Sequence, residues 1–169
     1  MKVYIIAAMT ADGFIDLDSE HRSLDWRSKE DARFFIDITK ESGVMVMGSV
    51  TFNTFRIRRA PPGRRLIIYT SRPGEITGEN IETTSESPID LISRLTNEGA
   101  KSVAIAGGAT INKLFLDSGV VDELYLTIEP VLFGSGVPLF SGDVSAKLTL
   151  LGVKNLSDDT LLLHYAVKG

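Results

Sequence analysis

Three short segments combine glycine with hydroxyl residues directly after an apolar run, which is the composition of a phosphate-binding turn. They are Met47-Gly48-Ser49-Val50-Thr51, Tyr69-Thr70-Ser71-Arg72 and Ala106-Gly107-Gly108-Ala109-Thr110. In an open α/β sheet the carboxyl ends of the strands form the ligand crevice, and N–H groups at helix starts there bind phosphate. Together the segments predict a dinucleotide site, although a tight turn also explains each glycine alone. No G-x-G-x-x-G follows the first apolar run, so the usual dinucleotide fingerprint is absent.

Arg72 stands beside Thr70 and Ser71 in the second of these segments and predicts which dinucleotide is bound. A guanidinium at this place suits the ribose 2′-phosphate that distinguishes NADPH from NADH, because it forms charge-assisted hydrogen bonds with phosphate. One such bond is worth about 1.5–3 kcal/mol, enough for a preference on the order of 10- to 100-fold. The alternative is an arginine that is simply solvated in a turn.

Asp31 lies near the start of a predicted helix, one turn before Phe35, so both side chains project from the same face. An aspartate beside aromatic rings can pair with the amino and ring N–H groups of a flat heterocycle. An acid in the first turn is also favoured by the helix dipole alone, by ~0.3–1 kcal/mol. The residues therefore leave a substrate-binding acid and an exposed helix-start acid as alternatives.

An arginine-rich segment stands out in a chain whose formal net charge is -4. It contains Arg56, Arg58, Arg59, Arg64 and Arg65. A phosphate-bearing substrate and a solvated loop are the two interpretations. No aromatic residues interleave these arginines to stack bases, so we expect a small-molecule partner and no nucleic acid.

The elements that would hold these segments alternate between strand and helix over the first two thirds of the chain. Apolar runs predict five strands: Val3–Met9, Val44–Met47, Leu66–Tyr69, Ile81–Thr83 and Ser102–Ala106. The spacing of apolar residues and the helix caps predict four helices: from Ser28 to Gly43, from Ser49, from Ser87 to Asn97 and over Ala109–Leu116. Strand-like segments Glu123–Glu129, Leu148–Leu156 and Thr160–Val167 fill the last third, with a turn at Asp158-Asp159. The pattern predicts one α/β domain over residues 1–169, mostly parallel with an antiparallel edge.

Composition limits the metal sites, the cellular location and the partners that we expect for this chain. The 169 residues include no cysteine and two histidines, too few for a disulfide framework or a histidine-rich metal site, so we expect no metal. No run approaches the ~20 apolar residues that a membrane span needs, and the first apolar run passes into acids rather than a cleavage site. We therefore expect a cytoplasmic protein without a membrane partner.

Four motifs and the closing hairpin give the chain a likeness to a known family over nearly its whole length. The motifs are MTADGFID, LDWRSKEDARFF, VMVMGSVTF and IAGGATINKLFLDSGVVDELYLTIEPVLFGSGVPLF. The sequence resembles the dihydrofolate reductase-like superfamily, especially the reductase domain of riboflavin biosynthesis, the RibD C-terminal domain. The resemblance implies a three-layer fold with helices on both faces of the sheet, NADPH as the cofactor and a homodimer.

The resemblance also assigns roles to individual residues. It implies NADPH contacts from Gly48, Thr51, Thr70, Ser71, Arg72, Gly107, Gly108, Ala109 and Thr110, and it places Asp12 and Gly13 in a mobile loop over the nicotinamide. Similarity to dihydrofolate reductase implies that Asp31 binds the pterin, that Phe35 packs on its ring and that Thr127 is the hydroxyl partner of the acid. Trp26 and His21 would line the substrate pocket or simply pack, and we expect His164 to be structural.

Two departures from the family pattern bear on these roles. Ser49 and Val50 stand where dihydrofolate reductases usually carry a basic residue. The aspartate-rich segment with which riboflavin-pathway reductases help to hold a ribose phosphate is not recognisable, and RIRRAPPGRR stands in its place.

The implied activity is hydride transfer from NADPH to a pyrimidine or pterin, most like 5-amino-6-(5-phosphoribosylamino)uracil reductase. Closure of the loop Thr10 to Leu17 would exclude water, and Asp31 or water would supply the proton. Dihydrofolate reductase proper is one alternative. A domain that binds NADPH without turnover is the other.

Overall fold

The central strands arise from continuous apolar runs, because a strand covered on both faces carries apolar residues at successive positions. In the computed structural model, which describes residues 1–18 and 25–168, Val3 and Ile5 of the first strand join one core while Tyr4 and Ile6 join the other. All four side chains are buried. Because successive side chains point to opposite faces of the sheet, this strand contributes to both hydrophobic layers.

The described residues form strands and helices at nearly all of the predicted places. The strands are β1 (Lys2–Thr10), β2 (Phe14–Asp16), β3 (Val44–Gly48), β4 (Arg65–Tyr69), β5 (Ile81–Thr84), β6 (Ser102–Ile105), β7 (Glu123–Glu129), β8 (Val137–Pro138), β9 (Lys147–Asn155) and β10 (Leu161–Lys168). The helices are α1 (Lys29–Ser42), α2 (Ser49–Thr54), α3 (Pro88–Asn97) and α4 (Ala109–Asp117).

The main sheet has eight strands in the order β5-β4-β3-β6-β1-β7-β10-β9. The strands from β5 to β7 pair in parallel, whereas β10 pairs antiparallel with both β7 and β9. The predicted fold class, a mostly parallel sheet with an antiparallel hairpin at its end, is confirmed.

Helices cover both faces of this sheet. On one face Leu91 and Leu95 of α3 pack with Ile111 and Phe115 of α4. On the other face Phe52 of α2 is buried with the side chains of α1, including Phe34, Phe35 and Ile38. The three-layer arrangement is thus the one that the resemblance implied.

Helix α1 begins and ends at the residues that the sequence predicts. Ser28 is the N-cap, and its hydroxyl oxygen accepts a hydrogen bond from the Asp31 N–H at 3.1 Å. Gly43 ends the helix with φ 72°, a left-handed conformation that glycine adopts without steric cost. These two ends fix the position of Asp31 in the first turn.

Two short strands, β2 and β8, differ from the sequence-based prediction. The segment Thr10 to Leu17, expected to be a loop, contains β2, which pairs antiparallel with β8 in a separate two-stranded sheet. Both strands are too short to produce a readable alternation, so only their pairing across the chain defines them. Among the described residues, no helix has the length and apolarity needed to cross a membrane.

Candidate active site

The glycine-containing segments after β3 and β6 meet side by side at the carboxyl ends of these neighbouring strands. The Gly48 N–H donates a hydrogen bond to the Gly107 carbonyl at 2.8 Å. A Cβ at Gly48 would lie 3.0 Å from Cγ1 of Ile111, and one at Gly108 would lie 3.1 Å from Oγ1 of Thr51. The Gly107–Gly108 peptide is cis, and Gly107 has φ 88°. Close backbone approach, and not only a turn, therefore requires glycine here.

A cavity of about 830 Å³ opens at this edge of the sheet. It is lined by most of the residues predicted to contact the cofactor, namely Gly48, Thr51, Thr70, Ser71, Gly108, Ala109 and Thr110. Helix α4 points its start at this cavity, and Gly108 at its N-cap makes no side-chain hydrogen bond to the first turn. First-turn N–H groups that no side chain caps are suited to an anionic ligand.

The connection from β5 to α3 also lines the large cavity, and the sequence analysis missed it. The residues concerned are Thr84, Ser85, Glu86, Ser87 and Pro88. The signal was present, because hydroxyl residues here follow a strand and precede a helix, as they do in the three segments that were recognised.

Arg72 lies next to the cavity without lining it. Its side chain is 75% exposed, and its Nη1 lies 3.8 Å from Oε1 of Glu75. Its backbone N–H donates to Oγ1 of Thr70 at 3.1 Å, which fixes the turn that follows β4. The guanidinium therefore stands in solvent beside Thr70 and Ser71, with no buried partner to hold it away from a ligand.

Asp12 and Gly13 line neither this cavity nor the smaller one beside it. The Asp12 carboxylate accepts hydrogen bonds from the N–H groups of Phe133 and Gly134, at 3.1 and 2.7 Å, and from the Thr10 hydroxyl. The Thr10 hydroxyl and these N–H groups lower the pKa of Asp12. Asp12 thus joins the turn after β1 to the loop after β7.

The smaller cavity, of about 180 Å³, adjoins the larger one and shares Ile15, Asp16, Thr51, Phe55 and Gly108 with it. Its other walls come from β1, β3, Gly107, Phe35 and Arg27. The Arg27 guanidinium lies over the Phe35 ring, 5.5 Å from the ring centroid. Phe35 therefore offers part of an apolar wall, with a cation at its edge.

Asp31 and Thr127 are brought together next to this smaller cavity, although neither lines it. Asp31 is 2% exposed and interacts with the Thr127 hydroxyl, and Nη1 of Arg27 lies 3.5 Å from its Oδ2. Burial raises the pKa of Asp31, and the hydrogen bond from Thr127 and the charge of Arg27 only partly oppose this effect. Arg27 connects the acid to the cavity, because it lines the cavity and contacts the carboxylate.

Glu129 is a second buried carboxylate close to Asp31, and the sequence analysis missed it. It accepts hydrogen bonds from the Ser28 N–H at 2.9 Å, the Ser28 hydroxyl at 2.8 Å and the Thr160 hydroxyl at 3.1 Å. Its charge contributes to the raised pKa of Asp31. Alternation on β7 could have found it, since Thr127 and Glu129 are two residues apart and face the same side.

The comparison with known protein families agrees with this geometry. The family model of the RibD C-terminal domain matches residues 1–162. The chain belongs to this family. Among curated proteins it is similar to the uncharacterized protein YwjB of Bacillus subtilis (strain 168), with 26% identity over 171 residues, 97% of each chain.

Solved structures share the fold. A pyrimidine reductase-like protein from Corynebacterium diphtheriae has a TM-score of 0.81 at 17% identity, over 99% of this chain and 92% of that one. The deaminase/5-amino-6-(5-phosphoribosylamino)uracil reductase of Thermotoga maritima has a TM-score of 0.78 at 19% identity, over 99% and 56%. Dihydrofolate reductase from Enterococcus faecalis, complexed with NADP(H), has a TM-score of 0.68 at 21% identity, over 99% and 97%. Family and fold together support a reductase function of the pyrimidine reductase or dihydrofolate reductase type.

Trp26 and His164, the remaining candidates among the described residues, line neither cavity. Trp26 packs edge-on against Phe133, with ring centroids 5.4 Å apart. His164 stacks on Tyr125 and lies 2.8 Å from Oε2 of Glu123. His21 lies outside the described residues.

The arginine-rich segment divides into structural and exposed members. Arg64 is buried and donates to Oγ1 of Thr39 at 2.9 Å, while Arg65 forms ion pairs with Glu82 and Glu98. Arg56, Arg58 and Arg59 are exposed. They flank Ile57 and precede Pro61, which both line the smaller cavity. Only these three remain candidates for an anionic part of a substrate.

Proposed function

We propose that this protein is an NADPH-dependent reductase that binds the cofactor in the larger cavity and a pyrimidine or pterin in the smaller one. The observation that carries the proposal is the adjacency of the two cavities. They share Thr51 and Gly108, so ligands in both would meet at these residues. A hydride can pass between two rings only when the reacting carbons lie about 3–3.5 Å apart.

The backbone of the larger cavity fits a dinucleotide. Gly48 and Gly108 leave open the space that a Cβ would fill, and the start of α4 lacks a side-chain cap. These features suit a pyrophosphate, which needs N–H donors and close backbone approach. The hydroxyls of Thr70 and Ser71, with Arg72 beside them, suit the phosphorylated ribose. NADPH bound here would supply the hydride.

The side chains of Asp31, Thr127, Ser28 and Glu129 beside the smaller cavity form what we call the acid end of the site. It is suited to supply the proton that must accompany the hydride. Reduction of a C=N bond adds hydride to carbon and a proton to nitrogen, giving CH–NH. Asp31 holds a proton to higher pH than an ordinary aspartate because burial disfavours its charged form. Arg27 contacts Asp31 and lines the substrate cavity, so it is a positioning residue. The proton would pass from Asp31 to the substrate through water, because a guanidinium does not release its own proton.

Two substrate classes fit this arrangement, and each has an observation in its favour. Family membership over residues 1–162 favours a ribosylaminopyrimidine, and the exposed arginines near Ile57 suit its phosphate. The Asp31–Thr127 pair beside the smaller cavity favours dihydrofolate, because the resemblance to dihydrofolate reductase implies this pair as the pterin-binding acid and its hydroxyl partner. A domain that only binds NADPH is the remaining alternative.

A direct assay separates these functions. Purified protein would be titrated with NADPH by nicotinamide fluorescence, and NADPH oxidation would then be followed with a ribosylaminopyrimidine phosphate and with dihydrofolate. We expect turnover of the pyrimidine. Turnover of dihydrofolate alone would identify a dihydrofolate reductase, binding without turnover of either would identify a binding domain, and absence of binding would refute the proposal.

We also propose that the protein is a homodimer formed through β9. This strand lies at the end of the sheet and exposes Leu148, Leu150, Leu151 and Val153. An exposed apolar edge strand is normally covered. Replacing Leu150 and Val153 with lysine is expected to halve the mass measured by light scattering, whereas Ile89→Lys on exposed α3 leaves it unchanged. A wild-type monomer would refute the dimer.

The cytoplasmic location stays a prediction.

A further inference from the structure

Glu86 lines the larger cavity, at the connection between β5 and α3. Asp16 and Asp18 line the same cavity, and none of the described residues that line it is a lysine or an arginine. A cofactor with an extra phosphate would therefore enter a cavity whose charged walls are acidic. Arg72, the nearest predicted phosphate partner, stands outside the wall and already has Glu75 at 3.8 Å.

The order of the strands decides which end of a dinucleotide Glu86 would meet. The smaller cavity is built on β1 and β3, with Gly107 and Gly108 after β6. Glu86 follows β5, the outermost strand on the parallel side of the sheet, and Arg72 follows its neighbour β4. A nicotinamide beside the smaller cavity would leave the adenosine ribose near β4 and β5. Glu86 and Arg72 would then compete at the same ribose.

Arg94 holds Glu86 in place and keeps it ionised. Its Nε and Nη2 donate to the Glu86 carboxylate at 3.1 and 2.8 Å, and the Thr84 hydroxyl donates at 2.8 Å. These contacts, with that from Arg94 the strongest, lower the pKa of Glu86. The carboxylate is thus a fixed acceptor and not a mobile surface acid.

The surrounding ion cluster keeps a negative balance. It consists of two guanidinium groups, Arg65 and Arg94, against three carboxylates, Glu82, Glu86 and Glu98. Arg94 therefore does not cancel the charge of Glu86, because it also pairs with Glu82 and Glu98. An approaching phosphate would meet net repulsion here.

We propose that Glu86 is a specificity-determining residue at the adenosine ribose, which lowers the preference of this site for NADPH over NADH. A carboxylate accepts hydrogen bonds from the free ribose hydroxyls of NADH, and it repels the 2′-phosphate of NADPH. Arg72 acts in the opposite sense. The inference rests on the proposed function, because it requires that the larger cavity bind a dinucleotide.

The test measures the dissociation constants of NADPH and NADH by nicotinamide fluorescence for the wild type, Glu86→Gln and Glu98→Gln. Glu98 is the matched control, because it also pairs with Arg94, and with Arg65 of the same cluster, but does not line the cavity. We expect the wild type to prefer NADPH by less than about tenfold, and Glu86→Gln to raise this preference roughly fivefold to tenfold. Glu98→Gln is expected to change it by less than about twofold.

The outcomes separate this inference from the proposed function. An unchanged preference in Glu86→Gln, or an equal rise in Glu98→Gln, overturns the role of Glu86 while leaving the dinucleotide site intact. Failure of the wild type to bind either nucleotide overturns the dinucleotide site and the role of Glu86 with it. The unfolding midpoint of each variant establishes that it is folded, so an unchanged preference counts against the inference.

Discussion

The two cavities are built in different ways. The larger one is made mainly of backbone and small side chains, contributed by short contiguous segments such as Thr70-Ser71 and Gly108-Ala109-Thr110. The acid end beside the smaller one is made of side chains that lie far apart in the chain, since Asp31 meets Thr127 and Ser28 meets Glu129. The proposed cofactor site therefore depends mainly on short local segments, whereas the proposed proton source depends on contacts between distant parts of the chain.

The largest expected effect is at the acid end. Asp31→Asn removes the carboxyl group that we propose as the proton source, and we expect kcat/KM to fall roughly 100- to 10,000-fold while the dissociation constant of NADPH stays the same. In the wild type, activity should fall as the pH rises through the raised pKa of Asp31, because the protonated form is required. Steady-state assays across pH check both statements. A loss of NADPH binding in Asp31→Asn would mean that the two cavities are not separable.

The same substitution has an opposite effect on stability. Because burial raises the pKa of Asp31, its contribution to stability is present at pH values below the ordinary aspartate pKa and is lost as the pH rises through the raised value. Near neutral pH the uncharged asparagine is therefore expected to raise the thermal midpoint. Thermal unfolding of both proteins at neutral and acidic pH checks this, and the difference should shrink in acid.

A substitution that adds a Cβ at Gly108 tests the larger cavity. A Cβ at Gly108 would stand 3.1 Å from Oγ1 of Thr51, inside the cavity. We expect Gly108→Ala to weaken NADPH binding at least about tenfold, because the wall must move by an amount that costs about 1–3 kcal/mol. Gly152→Ala is the matched control, since a Cβ there meets nothing within 4 Å. Equal NADPH affinities in the two variants would argue against a cofactor in this cavity.

Glu129→Gln is expected to act on proton chemistry alone. It removes the negative charge that helps to raise the pKa of Asp31, so the fall in activity should shift to lower pH. We expect about a threefold to tenfold loss of kcat/KM at neutral pH and no change in NADPH affinity. A pH–activity profile measures the shift. An unshifted profile with a lowered thermal midpoint would assign Glu129 a purely structural role.

An effect of similar size, confined to NADPH binding, is expected from Arg72→Ala. Its guanidinium is exposed, so solvent screens it and we expect NADPH binding to weaken by roughly threefold to tenfold. NADH binding should not change. Paired fluorescence titrations with the two nucleotides provide the measurement. Equal weakening of both would show that Arg72 does not contact the 2′-phosphate.

Much of the fold was predictable because its signals are local. The apolar runs of β1 and β3 occupy consecutive residues, and the caps Ser28 and Gly43 are single residues at the two ends of a helical pattern. The sequence pattern alone therefore locates them. The pairing of β2 with β8 was missed because neither strand is long enough to show a pattern. The mixed character of the arginine-rich segment was unreadable for a related reason, since the partners of Arg64 and Arg65 lie elsewhere in the chain.

We could predict from the sequence the alternation of strands and helices and the glycine and hydroxyl segments that follow three strands, because backbone conformation and turn chemistry depend on neighbouring residues. The fold was needed to show that those segments line one cavity, that Asp31 is buried against Thr127 with Glu129 nearby, and that Glu86 lines the cavity while Arg72 is exposed to solvent. Burial and charge–charge distances depend on which strands become neighbours. The pKa of Asp31 and the charge of the cavity wall therefore follow from topology.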